Sequence, residues 1–125
     1  MGAMLVRHTP TSAAAVRQRL TDDLDAVGVS QAATEEVLLV ASELLGNAIR
    51  HVRFGQLDVA WTIGESHVLV SVCDDSRREP VPRTAAPHET SGRGMTIVQA
   101  LSTDWGVEQT STGKRVWATV PIRRG

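Results

Sequence analysis

The chain has 125 residues, 42% of them hydrophobic, and a formal net charge of -1 at pH 7, values that suit one domain built around one core. That balance argues against a general electrostatic grip on nucleic acid or an anionic membrane, although local patches remain possible, and the absence of Tyr with a single Phe weakens a base-stacking surface. Cys73 has no second cysteine to pair with, and no leader or membrane-spanning apolar run is visible, so a cytoplasmic protein is expected. In chain order, Met1 to Ala3 read as a cloning remnant ahead of a start at Met4, within a single domain covering residues 1–125. Thr11 or Ser12 is expected to cap a first helix whose apolar positions Ala13, Val16, Leu20, Leu24 and Val27 recur at helical spacing, ended by Gly28. Ser30 then caps a long helix to about Val52, with Val37, Leu38, Ala41, Leu44, Leu45, Ala48, Ile49 and Val52 facing inward. Gly46 inside it costs stability unless close approach is required there. Two runs of strand type follow, Gln56 to Ile63 and His67 to Cys73, joined by Gly64, Glu65 and Ser66 as a hairpin turn. From Asp74 to Ser91 periodicity is lost and prolines recur, as in a long loop. A short helix from about Met95 to Ser102 and two strands, Trp105 to Gln109 and Lys114 to Ile122, complete the chain.

Three segments carry chemistry. Glu43, Asn47 and His51 recur every four residues, so on a helix they form one polar stripe beside the apolar one. A carboxylate can take a proton from a nucleophile, and an amide oxygen is a hard ligand suited to Mg²⁺, which binds through few protein groups plus substrate phosphates. On spacing alone, the solvated face of an amphipathic helix is the better reading. Asp74, Asp75 and Ser76 then stand where a strand meets a loop. A carboxylate there could accept a hydrogen bond from the amino group of adenine, although Asp also starts ordinary turns. Finally, Ser91-Gly92-Arg93-Gly94-Met95 opens a helix, where free backbone amides and the helix dipole suit phosphate oxygens and Arg93 could add charge-assisted contacts.

In this order and spacing, ELLGNAIRH, VSVCDDS, SGRGMTIV and TGKRVWATVP, the chain resembles the GHKL ATPase superfamily and, more narrowly, the bacterial anti-sigma factor serine/threonine kinases. The resemblance covers nearly the whole chain. It implies an α/β (α+β) two-layer sandwich of the Bergerat type, a mixed, mostly antiparallel sheet with helices on one face, and ATP with Mg²⁺ held between the long helix and the loop. By the same resemblance Glu43 is the catalytic base, Asn47 the Mg²⁺ ligand, Asp74 the adenine-reading carboxylate, and Gly92 and Gly94 the phosphate turn. His51, Ser76, Arg93 and Met95 complete the nucleotide-binding set it implies. The implied activity phosphorylates a serine or threonine of an anti-anti-sigma (antagonist) protein, and the second implied partner is a sigma factor. Homodimers are common among such relatives. The alternative is a degenerate module of the same fold that regulates a partner by contact alone.

This chain departs from the superfamily pattern at two places. The loop after the adenine-reading Asp usually supplies glycines, and here Asp75, Ser76, Arg77 and Arg78 stand instead. After the late glycine the superfamily often has Thr, and here Lys114 follows Gly113. His8, His67 and His88 lack metal-ligand spacing. Trp61, Trp105 and Trp117 are expected to fill core, and Cys73 to be a buried small hydrophobe.

Overall fold

The computed structural model of the protein describes residues 2–7, 10–51, 56–74, 92–110 and 113–124. Strand β1 spans Gly2–Arg7, helix α1 Pro10–Ala26, helix α2 Gln31–His51, strand β2 Gln56–Ile63 and strand β3 His67–Asp74. Helix α3 spans Gly92–Leu101, strand β4 Asp104–Gln109 and strand β5 Lys114–Pro121. The strands form one sheet in the order β1-β2-β3-β5-β4. Helix α2 touches α1 on one side and α3 on the other and rests on β3 and β5, which makes two layers with the helices on one face.

The sheet is antiparallel at every described pairing rather than mixed. Two connections explain this. Between β1 and β2 the chain passes through two helices, which returns it in the opposite direction. Strands β3 and β4 do run the same way, as a single helical crossover dictates, but β5 inserts between them and is antiparallel to both.

Local chemistry sets the helix ends. Ser30 caps α2 as its sequence position suggests, its Oγ accepting a hydrogen bond from the Ala33 amide at 3.2 Å. Helix α1 starts earlier than expected, with Pro10 as its first residue, a position where the missing N–H and the fixed φ of proline cost nothing. Thr11 and Ser12 therefore belong to the first turn and not to the cap. At the other end Gly28 has φ 80°. The Gly28 amide donates to the Asp25 carbonyl (3.0 Å) and the Val29 amide to the Leu24 carbonyl (3.1 Å), the paired bonds of a Schellman ending. Val27, expected inward, is thereby left beyond the helix and 45% exposed.

The core lies between the helices and one sheet face. Alternation in the hairpin sends Leu57, Val59 and Trp61 of β2 and Val68, Val70 and Val72 of β3 inward, and all six are buried. They meet Val16, Leu20 and Leu24 of α1 and Val37, Ala41, Leu44 and Leu45 of α2. Val40 is also buried, an inward position that the sequence periodicity did not single out, while Val52 lies outside the described residues. Burying these side chains supplies roughly 1.5–3 kcal/mol each before entropy is counted. Trp61 is the largest of them. Its Nε1 donates to Asp23 Oδ2 at 2.8 Å, and the Arg19 guanidinium stands 5.9 Å from the ring centroid.

Strand β1 has no counterpart in the sequence reading. Gly2 and Ala3, read there as part of a cloning remnant, pair with Trp61 and Ala60. Gly2 is buried against the indole, where any Cβ would collide with the ring. The tryptophans divide as well. Trp105 packs partly buried against the core, whereas Trp117 pairs with Ser71 and Gly106 and so projects from the opposite face.

Candidate functional site

Three pieces of backbone geometry bring the separated motifs to one end of the sheet. The Ser30 amide, at the start of α2, donates to the Arg123 carbonyl at 2.8 Å, and Val29 bridges Arg124. This pins the beginning of α2 to the far end of β5. Twenty-one residues of helix rise about 30 Å, so the second half of α2, with Glu43 and Asn47, reaches toward the opposite end, where β3 finishes and β5 begins. Helix α3 ends beside the far half of β5, where the Thr103 amide donates to the Thr119 carbonyl at 2.8 Å. Its first turn therefore also points toward the end that carries Asp74.

On α2, Glu43 and Asn47 lie one turn apart and are both half-buried, beside the buried Leu44 and Leu45. They occupy the border between the buried and polar stripes, where a side chain can be held by packing and still reach a ligand. His51 is the last residue of α2, and its side chain lies outside the described residues.

Asp74 is the most constrained acidic group of the site. It ends β3 in the same alternation as Val68, Val70 and Val72, so its carboxylate projects from the helix-covered face, and it is 7% exposed. Burying a carboxylate costs several kcal/mol unless it is compensated, and a residue placed so by a rigid strand end is positioned to bind. Gly113 closes over it. A Cβ on Gly113 would overlap the backbone carbonyl and Oδ1 of Asp74, so glycine is needed here for close approach. The neighbouring turn is tied by Thr110, whose amide donates to the Gly113 carbonyl (2.8 Å) and whose Oγ1 accepts from the Gly113 amide (2.9 Å). In the sequence Gly113 stood out only as the late glycine ahead of Lys114. Its contact with Asp74 depends on the pairing of β3 with β5, which local pattern does not contain.

Gly92, Arg93 and Gly94 form the first turn of α3, which begins three residues earlier than expected. They are part of the helix and not a turn ahead of it. The change keeps the anion-binding argument, because the unpaired amides of a helix are those of its first turn. Met95 is half-buried and packs against the core. Ser76 lies outside the described residues, as do Asp75, Arg77 and Arg78.

Cys73, adjacent to Asp74, faces the other way. It stands across from Asp58 on β2 and Arg115 on β5 and is half-buried. Desolvation first, and the Asp58 charge second, push its thiol pKa up, which suits a packing residue and not a nucleophile.

Residues 6–120 match the family of histidine kinase-like ATPase domains. No curated protein matches the chain. Among solved structures, the Acinetobacter baumannii histidine kinase AdeS is similar at 16% identity and a TM-score of 0.46, with the alignment covering 100% of this chain and 68% of that one. With all but its first five and last five residues spanned by that one family, the chain belongs to the histidine kinase-like ATPase domains of the GHKL superfamily.

Proposed function

We propose that this protein is an ATP-binding regulator of the anti-sigma factor kinase type, acting in the cytoplasm on a serine or threonine of an antagonist protein and binding a sigma factor. Domains of the GHKL ATPase kind bind ATP, usually with Mg²⁺. The observation that carries the reading is the buried Asp74 carboxylate, enclosed by Gly113 at the sheet end toward which α2 and α3 converge. An acceptor-only group so placed selects a ligand with an exocyclic amino donor, which adenine has. When bound, Mg²⁺-ATP supplies the phosphoryl group, with the metal offsetting phosphate charge. Asn47 offers an amide oxygen to the metal, with His51 one turn further along the same stripe. The first-turn amides of Gly92, Arg93 and Gly94 offer hydrogen bonds to phosphate oxygens, and the Arg93 guanidinium adds charge. Ser76 and Met95 complete the proposed nucleotide set. Glu43 takes the proton of the attacking hydroxyl as general base.

A second reading, regulation by contact alone, is favoured by one observation: Asp75, Ser76, Arg77 and Arg78 replace the glycines expected after Asp74. One calorimetric experiment separates the two. ATP should bind the wild-type protein in the presence of Mg²⁺, and the Mg²⁺-dependent part should disappear in Asn47→Ala. No heat at millimolar ATP would leave the contact-only regulator standing.

A further inference from the structure

The three helices pack on one face of the sheet, and among the described residues nothing covers the other. Strand register sets the side chains of that open face in rows running across the strands, because directly paired residues project from the same side. The middle row is Ala3, Ala60, Ser71, Trp117 and Gly106. Four of the five are small, and the half-buried indole of Trp117 lies over Gly106, where a Cβ would stand 2.9 Å from the ring. On one side of this row stand Asp58, Cys73 and Arg115, and on the other Thr62, Leu69 and Thr119. Leu5 of β1, 63% exposed, adds an apolar group at the margin.

These rows are self-complementary about β3, which has β2 on one side and β5 on the other. When two copies stack face to face about a two-fold axis that runs along β3, β5 of one copy lies on β2 of the other. Trp117 then meets the partner's Ala60, a large side chain over a small one. Arg115 meets the partner's Asp58, and Thr119 meets the partner's Thr62. Leu69 and Cys73 meet their own counterparts on the axis. We propose that this open face binds a second copy of the same chain as a two-fold dimer. Aligned sheets pack about 10 Å apart with interdigitated side chains, and an isologous interface pairs residue i with j and j with i. An unrelated partner requires no such match between the two sides of β3. Arg115 already bonds Glu108 at 3.1 Å, and its remaining guanidinium donors can take a second carboxylate. Glu108 itself stays at the rim on the edge strand β4. None of these residues belongs to the proposed nucleotide site.

The test is sedimentation velocity of the full chain across the micromolar range, with the folding of every variant checked by thermal unfolding. Wild type should sediment as a dimer. Trp117→Ala should raise the dimer dissociation constant at least about tenfold, as loss of a central aromatic anchor does. Asp58→Arg sets two pairs of like charges across the axis, and so does Arg115→Asp, so each variant alone should be monomeric where wild type is paired. Mixed in equal amounts, the two variants restore opposite charges at both contacts and should recover a heterodimer, a rescue that a mere folding defect does not give. Wild type monomeric at every concentration would overturn the dimer and leave the face to a different protein. A dimer that survives Trp117→Ala unchanged, or charge variants that stay monomeric on mixing, would overturn this face as the interface.

Discussion

Cys73 and Asp74 are consecutive residues of β3, yet the two faces of the sheet give them opposite uses. Toward the helices, the row Leu57, Asp74 and Lys114 runs across three strands, and its carboxylate is closed over by Gly113. Away from the helices, Asp58, Cys73, Arg115 and Glu108 run across four, with Glu108 54% exposed in its ion pair. Both rows mix charges of opposite sign. Within one protomer only the first is covered, and removal from water is what strengthens an electrostatic contact and makes its geometry matter. A charged side chain on the outer row of a lone protomer is solvated, whereas one on the inner row must be compensated by protein or ligand.

Substitutions can break or sharpen that contrast. The largest effect is expected on the covered face at Trp61→Ala, which removes the bulkiest buried side chain together with its bond to Asp23. Urea denaturation should show a loss of about 3–5 kcal/mol, and a loss comparable to a surface change would remove Trp61 from the centre of the core. Next comes Gly113→Ala. The added methyl must displace the Asp74 backbone, so stability should fall by about 1–3 kcal/mol as in other overpacked sites, with ATP affinity falling in parallel. A variant as stable as wild type would show that the close approach is dispensable. The smallest effect is expected on the open face, where Glu108→Ala breaks the 3.1 Å pair with Arg115. Exposed pairs contribute less than about 1 kcal/mol, and a change equal to that at Gly113 would erase the distinction between the two faces.

The features legible in the sequence were those written within one element. Ser30 as a cap, the inward stripe of α2 and the alternation of β2 and β3 follow from repeating periods of side-chain direction. The Schellman ending at Gly28 was half legible: the glycine marks the stop, but the exposure of Val27 follows from where the last helical bond closes. Strand β1 was not legible, because six residues carry too little alternation to be recognised, and they become a strand by pairing with β2. The outward direction of Trp117 was missed for a related reason. Which face an alternating residue takes depends on the register of its strand, and shifting that register by one residue reverses it.

By itself the sequence determined the two long amphipathic helices, the central hairpin, and the chemical identity of the groups available for a site: Glu43 and Asn47 one turn apart and Asp74 at a strand end. Those are local properties, because helical and strand periods act over a few neighbouring residues. Tertiary structure alone decided that β5 inserts between β3 and β4, that Gly113 closes over Asp74, and that Lys114 stands opposite it. Asp74 and Lys114 are forty residues apart in the chain and meet through the register in which β3 pairs with β5, their valine rows buried on the same face. Contacts of that range come from the shared core, and no local pattern of side chains specifies them.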